Sequence, residues 1–321
     1  MRSVQVVRLD GPAAVEVREV AEPQRGTDEV LIDVRAAGVN FPDVLLTKGL
    51  YQYKPELPFG LGAELAGLVL EAPDGSPLRP GDRVVAFSGY GAFSEVAAVN
   101  ADHVLPLPAA VSFTAGACLP MNYLTAHFAL TVRGHLQPGQ TVLVQGAAGG
   151  VGSAVTQLAR ALGARVVAVV SSGAKAEVAR AAGAHETVPI EGFKDAVTEL
   201  TGGRGVELVV DPVGGDRFTD SLRCLAPLGR LLVVGFAAGD IPTVRVNRLL
   251  FGNIDVVGVG WGGYALARPG YLGQQWAELG SHLEAGALDP LISGTFPLER
   301  AVEALALIDG RTVTGKVVLE T

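Results

Sequence analysis

VLVQGAAGGVGSAVTQLARALGARVVAVVSSGAK, residues 142–175, decides the fold. The apolar run VLVQ stops at a cluster of small residues, Gly146 to Gly152. GSAVTQLARALG then reads as a helix, and RVVAVV as a second strand rich in β-branched side chains. Strand, tight turn, helix, strand is the repeating unit of a parallel, doubly wound sheet. Ala147-Ala148-Gly149-Gly150-Val151-Gly152 is a dinucleotide fingerprint with alanine at the first glycine position. Small residues serve three needs there: a sharp exit from the strand, close approach of main-chain N–H groups to a diphosphate, and tight packing of helix on strand. Ala148, Gly149, Gly150, Val151 and Gly152 are therefore the expected diphosphate cradle.

The end of the second strand chooses between cofactors. An acid near residue 171 would hold a ribose 2′-hydroxyl and select NADH. The chain instead offers Ser171-Ser172-Gly173 and then Lys175, hydroxyls and an ammonium suited to a 2′-phosphate. NADPH is expected ahead of NADH. Asp211, after ELVV, and Gly235-Phe236, after RLLVV, fall at carboxyl ends of further strands, where such sheets bind ligands.

From about 122 to 262 strands and helices alternate: TVLVQG, GSAVTQLARALG, RVVAVVS, AKAEVARAAG, ELVVDPVG, FTDSLRCLAPLG, RLLVVGF and IDVVGVG. Residues 1 to about 110 are different. VQVVRL, AVEVREV, EVLIDVRAAGV, AGLVLEA and DRVVAF are short β segments separated by turn sequences such as Asp74-Gly75 and Pro80-Gly81. The expected domains are a mostly-β unit, 1–122, completed by 263–321, and a dinucleotide-binding unit, 123–262. The C-terminal stretches QQWAELGSHLEAG, LERAVEALALIDG and GKVVLE read as helix, helix and strand, the strand pairing back onto the first domain.

Composition narrows the function. A chain 49% hydrophobic and 18% charged is globular. A net charge of −8 argues against nucleic acid as partner, and no apolar run has the length of a membrane span. Two cysteines, Cys118 and Cys224, make neither a disulfide framework nor a four-ligand zinc site. A soluble cytoplasmic protein is the expectation.

Several stretches in order resemble the zinc-independent quinone oxidoreductases of the medium-chain dehydrogenase/reductase superfamily: AAGVNFPDVLLTKGLY, LPFGLGAELAGLV, RPGDRVVAF, LVQGAAGGVG, DPVGGDRF, SLRCLAPLGRLLVVGFA and TGKVVLE. The resemblance covers essentially the whole chain. It implies a Rossmann sheet with a GroES-like mostly-β domain. Zinc-dependent relatives place a catalytic Cys where Asn40 stands, a His where Ala63 stands and a third ligand near Asn122. Amides and a methyl are poor replacements for thiolate and imidazole, so no zinc is expected. Cys118 lies four residues too early to serve. The five histidines, at 103, 127, 135, 185 and 282, share no ligand spacing.

The resemblance also implies a site. Asn40 lies in the loop that faces the nicotinamide in relatives, with Asp43 beside it. Tyr51, or Tyr53, offers a phenol to a substrate oxygen. Thr125 matches a threonine near the nicotinamide, with Tyr123 a lesser candidate. Arg311 matches an arginine able to reach the 2′-phosphate. One departure weighs against NADPH: relatives often carry a tyrosine where Thr187-Val188-Pro189-Ile190 stands. The expected activity is NADPH-dependent, zinc-independent hydride transfer to small-molecule quinones or α,β-unsaturated carbonyls. An enoyl-thioester reductase is the alternative, with Arg245, Arg248 and Arg268 as carrier contacts. A low-turnover nucleotide-binding sensor or structural protein is the alternative from another class. A homodimer through the edge strand 254–260 is expected.

Overall fold

The computed structural model describes all residues 1–321, which divide into two compact units. Asn122–Ala267 with Ala285–Leu291 form the nucleotide-binding type of unit. Its sheet has six strands in the order Glu186–Pro189, Arg165–Val170, Thr141–Val144, Val206–Asp211, Leu225–Val233 and Asp255–Gly258. Every neighbouring pair is parallel. The central strands are apolar throughout because helices cover both faces; Val142, Leu143, Val144, Val209 and Val210 are fully buried. The order reverses between Thr141–Val144 and Val206–Asp211: the chain leaves the first strand in one direction, then returns to pair on its other side. Ligand crevices of doubly wound sheets open at that switch point, at the strands' carboxyl ends.

Two elements of this unit are absent from the sequence reading: the edge strand Glu186–Pro189 and the helix Phe193–Leu200. HETVPI is too short for a period to declare itself, and its proline is tolerated because the strand is an edge. The stretch read as a helix to Gly229 also stops early. The helix Phe218–Arg223 ends before Leu225, where a strand begins.

The other unit comprises Met1–Met121, Arg268–Glu284 and Ile292–Thr321. Its main sheet runs in the order Ile292–Pro297, Lys316–Glu320, Glu29–Val39, Glu64–Glu71, Arg83–Phe87 and Val104–Pro106; Val96–Asn100 also pairs with Glu29–Val39. All pairs but the first are antiparallel. Arg2–Val6 joins Val15–Glu19 and Phe59–Gly60 in a small second sheet. Between them lies a core of Val, Leu, Ile and Phe that includes Val4, Ile32, Leu65 and Phe93. The strand Ile292–Pro297, unread in the sequence, lies beside the closing strand. That closing strand sets Val317 opposite Val39, which carries Lys316 to the far end of Glu29–Val39, beside Asn40.

Candidate active site

The glycine turn has the shape its sequence asks for. The helix Gly150–Ala161 follows Gly149 directly, and Ala147 and Ala148 are buried beneath it. A Cβ on Gly152 would lie 2.2 Å from the carbonyl oxygen of Gly146 and 2.7 Å from Ala147 Cα. Only hydrogen fits where helix meets strand. The first-turn amides of the helix have no intrahelical acceptors, so they and the positive end of the helix dipole can meet a diphosphate. On these grounds a dinucleotide fits the cradle formed by Ala148, Gly149, Gly150, Val151 and Gly152.

At the end of Arg165–Val170, Ser171 and Ser172 are exposed and Lys175 is half-buried. Ser172 caps the helix Gly173–Ala181, its Oγ accepting from the Lys175 N–H at 3.3 Å. Thr187 accepts from Arg180 at 2.8 Å, and Arg180 also pairs with Glu177 at 2.5 Å. Thr187 thus belongs to a side-chain tie on the sheet edge.

Asp211 is buried, and its Oδ1 accepts from the N–H groups of Val213 and Gly214 at 2.8 and 2.9 Å. Burial raises its pKa, and these two N–H bonds oppose the rise. Its carboxylate therefore shapes the loop. That loop is laced to the next: Ala237 N–H donates to Pro212 O at 3.1 Å, and a Cβ on Gly214 would touch the Phe236 ring at 3.0 Å. A Cβ on Gly235 would lie 3.4 Å from Pro212 O. Phe236 itself is 37% exposed. Thr125, on the helix Pro120–His127, is buried. The Tyr123 phenol donates to Gln157 Oε1 at 2.6 Å, which commits it inside the unit.

Asn40, Asp43, Glu64 and Lys316 meet in the other unit, all of them buried. Asn40 and Asp43 form a capping box at the start of the helix Phe41–Thr47. The Asn40 main-chain N–H donates to Asp43 Oδ2 at 2.8 Å. The Asn40 amide donates to Gly38 O at 3.1 Å and to Glu64 Oε1 at 2.9 Å. Both amide hydrogens are thus used within the chain. Through these bonds Asn40 helps to hold the turn.

Lys316 escaped the sequence reading. Its Nζ donates to Val39 O at 3.2 Å, Asn40 Oδ1 at 2.6 Å and Glu64 Oε1 at 2.8 Å. Glu64 Oε2 accepts from the Met121 N–H at 2.8 Å. Gly38 makes room, since a Cβ there would lie 2.3 Å from Ala117 O and 2.5 Å from Glu64 Oε1. In TGKVVLE the one signal beyond a strand is the lysine that opens an otherwise apolar run. Asp43 Oδ1 is buried without a hydrogen-bond partner. Burial pushes the Asp43 carboxyl up to about 7, against the Asn40 N–H and the Lys316 charge and with the Glu64 charge. Burial, then the Asp43 charge, raises the half-buried Tyr51 phenol.

Tyr53 is exposed and stacks on Tyr90, ring centroids 5.7 Å apart. Arg311 is exposed, in a turn with φ of +55°. Burial pushes the Cys118 thiol up to about 12, which makes it inert. Arg245 and Arg248 line a shallow cavity with Leu225 and Ile254. Leu225 starts its strand and Ile254 immediately precedes the strand Asp255–Gly258, so the arginines gather at the end of the sheet opposite the glycine turn. They provide no carrier entry at the carboxyl-end crevice.

Residues 26–109 match the alcohol dehydrogenase GroES-like domain, and residues 150–276 match the zinc-binding dehydrogenase family. Quinone oxidoreductase-like protein 2 of Rattus norvegicus is 39% identical over 94% of this chain and 88% of its own. Quinone oxidoreductase 1 of Escherichia coli is 33% identical over 96% of each. The crystal structure of Escherichia coli quinone oxidoreductase complexed with NADPH superposes with a TM-score of 0.93 and 31% identity, covering 100% of both chains. The chain belongs to the quinone oxidoreductases of the medium-chain dehydrogenase/reductase superfamily and is an oxidoreductase-class enzyme, built from a Rossmann unit and a GroES-like unit.

One of the matched families is zinc-binding, and the donor set tests that group. Asn40 and Ala63 offer an amide and a methyl, and the Lys316 ammonium already sits on Asn40 and Glu64. No cluster of three His, Cys, Asp or Glu side chains exists elsewhere that could hold a metal. A zinc ion does not fit these residues.

Proposed function

We propose that this enzyme uses NADPH to reduce quinones or α,β-unsaturated carbonyls without zinc. The observation that carries the reading is that Asn40 and Ala63 stand where metal-dependent relatives carry zinc ligands, with the Asn40 amide already bonded to Glu64 and Lys316. Without those ligands, the site suits acceptors whose own conjugation spreads the charge that arrives with a hydride. The first-turn amides of Gly150–Ala161 would hold the diphosphate, and Ser171, Ser172, Lys175 and Arg311 the 2′-phosphate. NADPH, when bound, supplies the hydride. Asp211, Gly235 and Phe236 form loops that shape the nicotinamide side, with Thr125 beside them in the same reading. Tyr51 is the phenol suited to donate to the developing oxygen. One such donor contributes about 3 kcal/mol in a dry site.

The working form in this reading is a cytoplasmic homodimer. Asp255–Gly258 ends the six-stranded sheet with one edge unpaired, and Leu250 and Phe251 nearby are 70% and 79% exposed. Pairing of two such edges removes an aggregation hazard. No helix is long and apolar enough to cross a membrane.

NADPH oxidation at 340 nm with a panel of quinones, enones and enoyl thioesters tests the activity. Turnover of quinones or enones is expected. Turnover confined to enoyl thioesters favours that alternative, and tight NADPH binding with no turnover favours a sensor or structural role. Sedimentation at micromolar concentration is expected to give a dimer.

A further inference from the structure

Lys316 is 3% exposed, and each of its three N–H bonds ends on a group that shapes one turn. Val39 O closes the strand before the turn, Asn40 Oδ1 belongs to the capping residue, and Glu64 Oε1 also receives the Asn40 amide. Asn40 therefore has one orientation. Its oxygen faces the ammonium and its nitrogen the carboxylate; a flipped amide would set donor against donor. Stability alone is a weak reason to bury such a pair, because apolar side chains of equal volume often do as well.

We propose that Lys316 is a positioning residue for hydride transfer, a buried cation that holds the Asn40 turn in place through its three hydrogen bonds. The inference rests on the function proposed above. Lys316 fixes the Asn40 amide, the capping box with Asp43 then fixes the first turn of Phe41–Thr47, and that loop seats the acceptor. A neutral side chain at 316 leaves Asn40 Oδ1 without its donor and the turn free to shift. A shift of about 1 Å in such a support costs roughly 100-fold in rate.

The test uses the full-length enzyme and the acceptor with the highest turnover. Lys316→Met strands the Glu64 carboxylate and is expected to lower Tm sharply. Lys316→Met with Glu64→Gln removes both charges and is expected to regain part of that Tm. That double variant should bind NADPH as the wild type does, yet lose kcat by roughly 100-fold with a smaller change in KM. Asn40→Ala keeps the Lys316–Glu64 pair and removes only the amide; it should lose kcat to a similar degree, and it decides the question if the double variant does not fold. Wild-type kcat in the folded double variant, or in Asn40→Ala, overturns the inference and leaves the proposed function standing. A wild type inert toward every acceptor fails the function and this inference with it.

Discussion

The glycine turn and the Asn40–Lys316 cluster are opposite ways of making a site. The turn is built from what side chains lack: hydrogen at Gly152, methyls at Ala147 and Ala148, and main-chain N–H groups as donors. The cluster is built from four side chains spread from residue 40 to residue 316. The turn folds its site from one local stretch. The cluster exists only because Lys316–Glu320 pairs with Glu29–Val39 in one register, Val317 opposite Val39. The two should fail differently: the turn through sterics, and the cluster through charge.

Glu64→Gln is the largest break. It keeps an oxygen for Lys316 and Asn40, but it strands the ammonium and turns an amide NH2 toward the Met121 N–H, a donor facing a donor. Removing one partner of a buried pair costs about 3–5 kcal/mol. Urea melts at pH 7 are expected to show that loss, and a change below about 1 kcal/mol would mean that solvent reaches the cluster. Gly152→Ala tests the turn. Its Cβ would sit 2.2 Å from Gly146 O, so the helix must back away, an overpacking cost of about 1–3 kcal/mol. The displaced amides are those expected to hold the diphosphate. NADPH affinity measured by calorimetry should fall by roughly 10- to 100-fold.

Asp43→Asn separates charge from shape within the cluster. The folded carboxyl titrates near 7, above its unfolded value, so its proton stabilises the fold at low pH. That contribution is complete below the unfolded pKa and is lost as pH rises through about 7. The amide variant lacks it. The stability of wild type relative to Asp43→Asn should therefore fall between pH 5 and pH 8 by about 2–3 kcal/mol, the part of the shift that lies in that window. A gap independent of pH would mean that Asp43 is ionised throughout.

Legibility in the sequence follows the same division. The fold was readable where a pattern is local: VLVQ, the small-residue run and GSAVTQLARALG specify strand, turn and helix with no distant partner. Glu186–Pro189 was not, because four residues carry no period and its strand character comes from lying beside Val167–Val170. Asn40 and Asp43 could be marked from the resemblance, but not the use of the Asn40 amide, which depends on Glu64 and Lys316. Glu64 is buried, and 252 residues separate it from its partner Lys316. Side-chain clusters assembled by sheet register are invisible until the register is known.

Lys175→Ala is the smallest change and probes the end of the cradle that does depend on a side chain. Ser172 caps Gly173–Ala181 through the Lys175 main-chain N–H, so the substitution leaves the cap and the helix intact. What it removes is one half-buried ammonium beside two exposed hydroxyls. If that ammonium meets the 2′-phosphate, NADPH binding weakens by about 1 kcal/mol, roughly fivefold, while NADH binding, with no phosphate to lose, stays the same. The effect should fade in high salt, because an exposed pair is screened over about 10 Å at 0.1 M. Equal weakening of both cofactors would assign Lys175 to the helix terminus and shift 2′-phosphate recognition to Ser171, Ser172 and Arg311. Calorimetry with the two dinucleotides at low and high ionic strength decides between these, and it does so without reference to which acceptor the enzyme reduces.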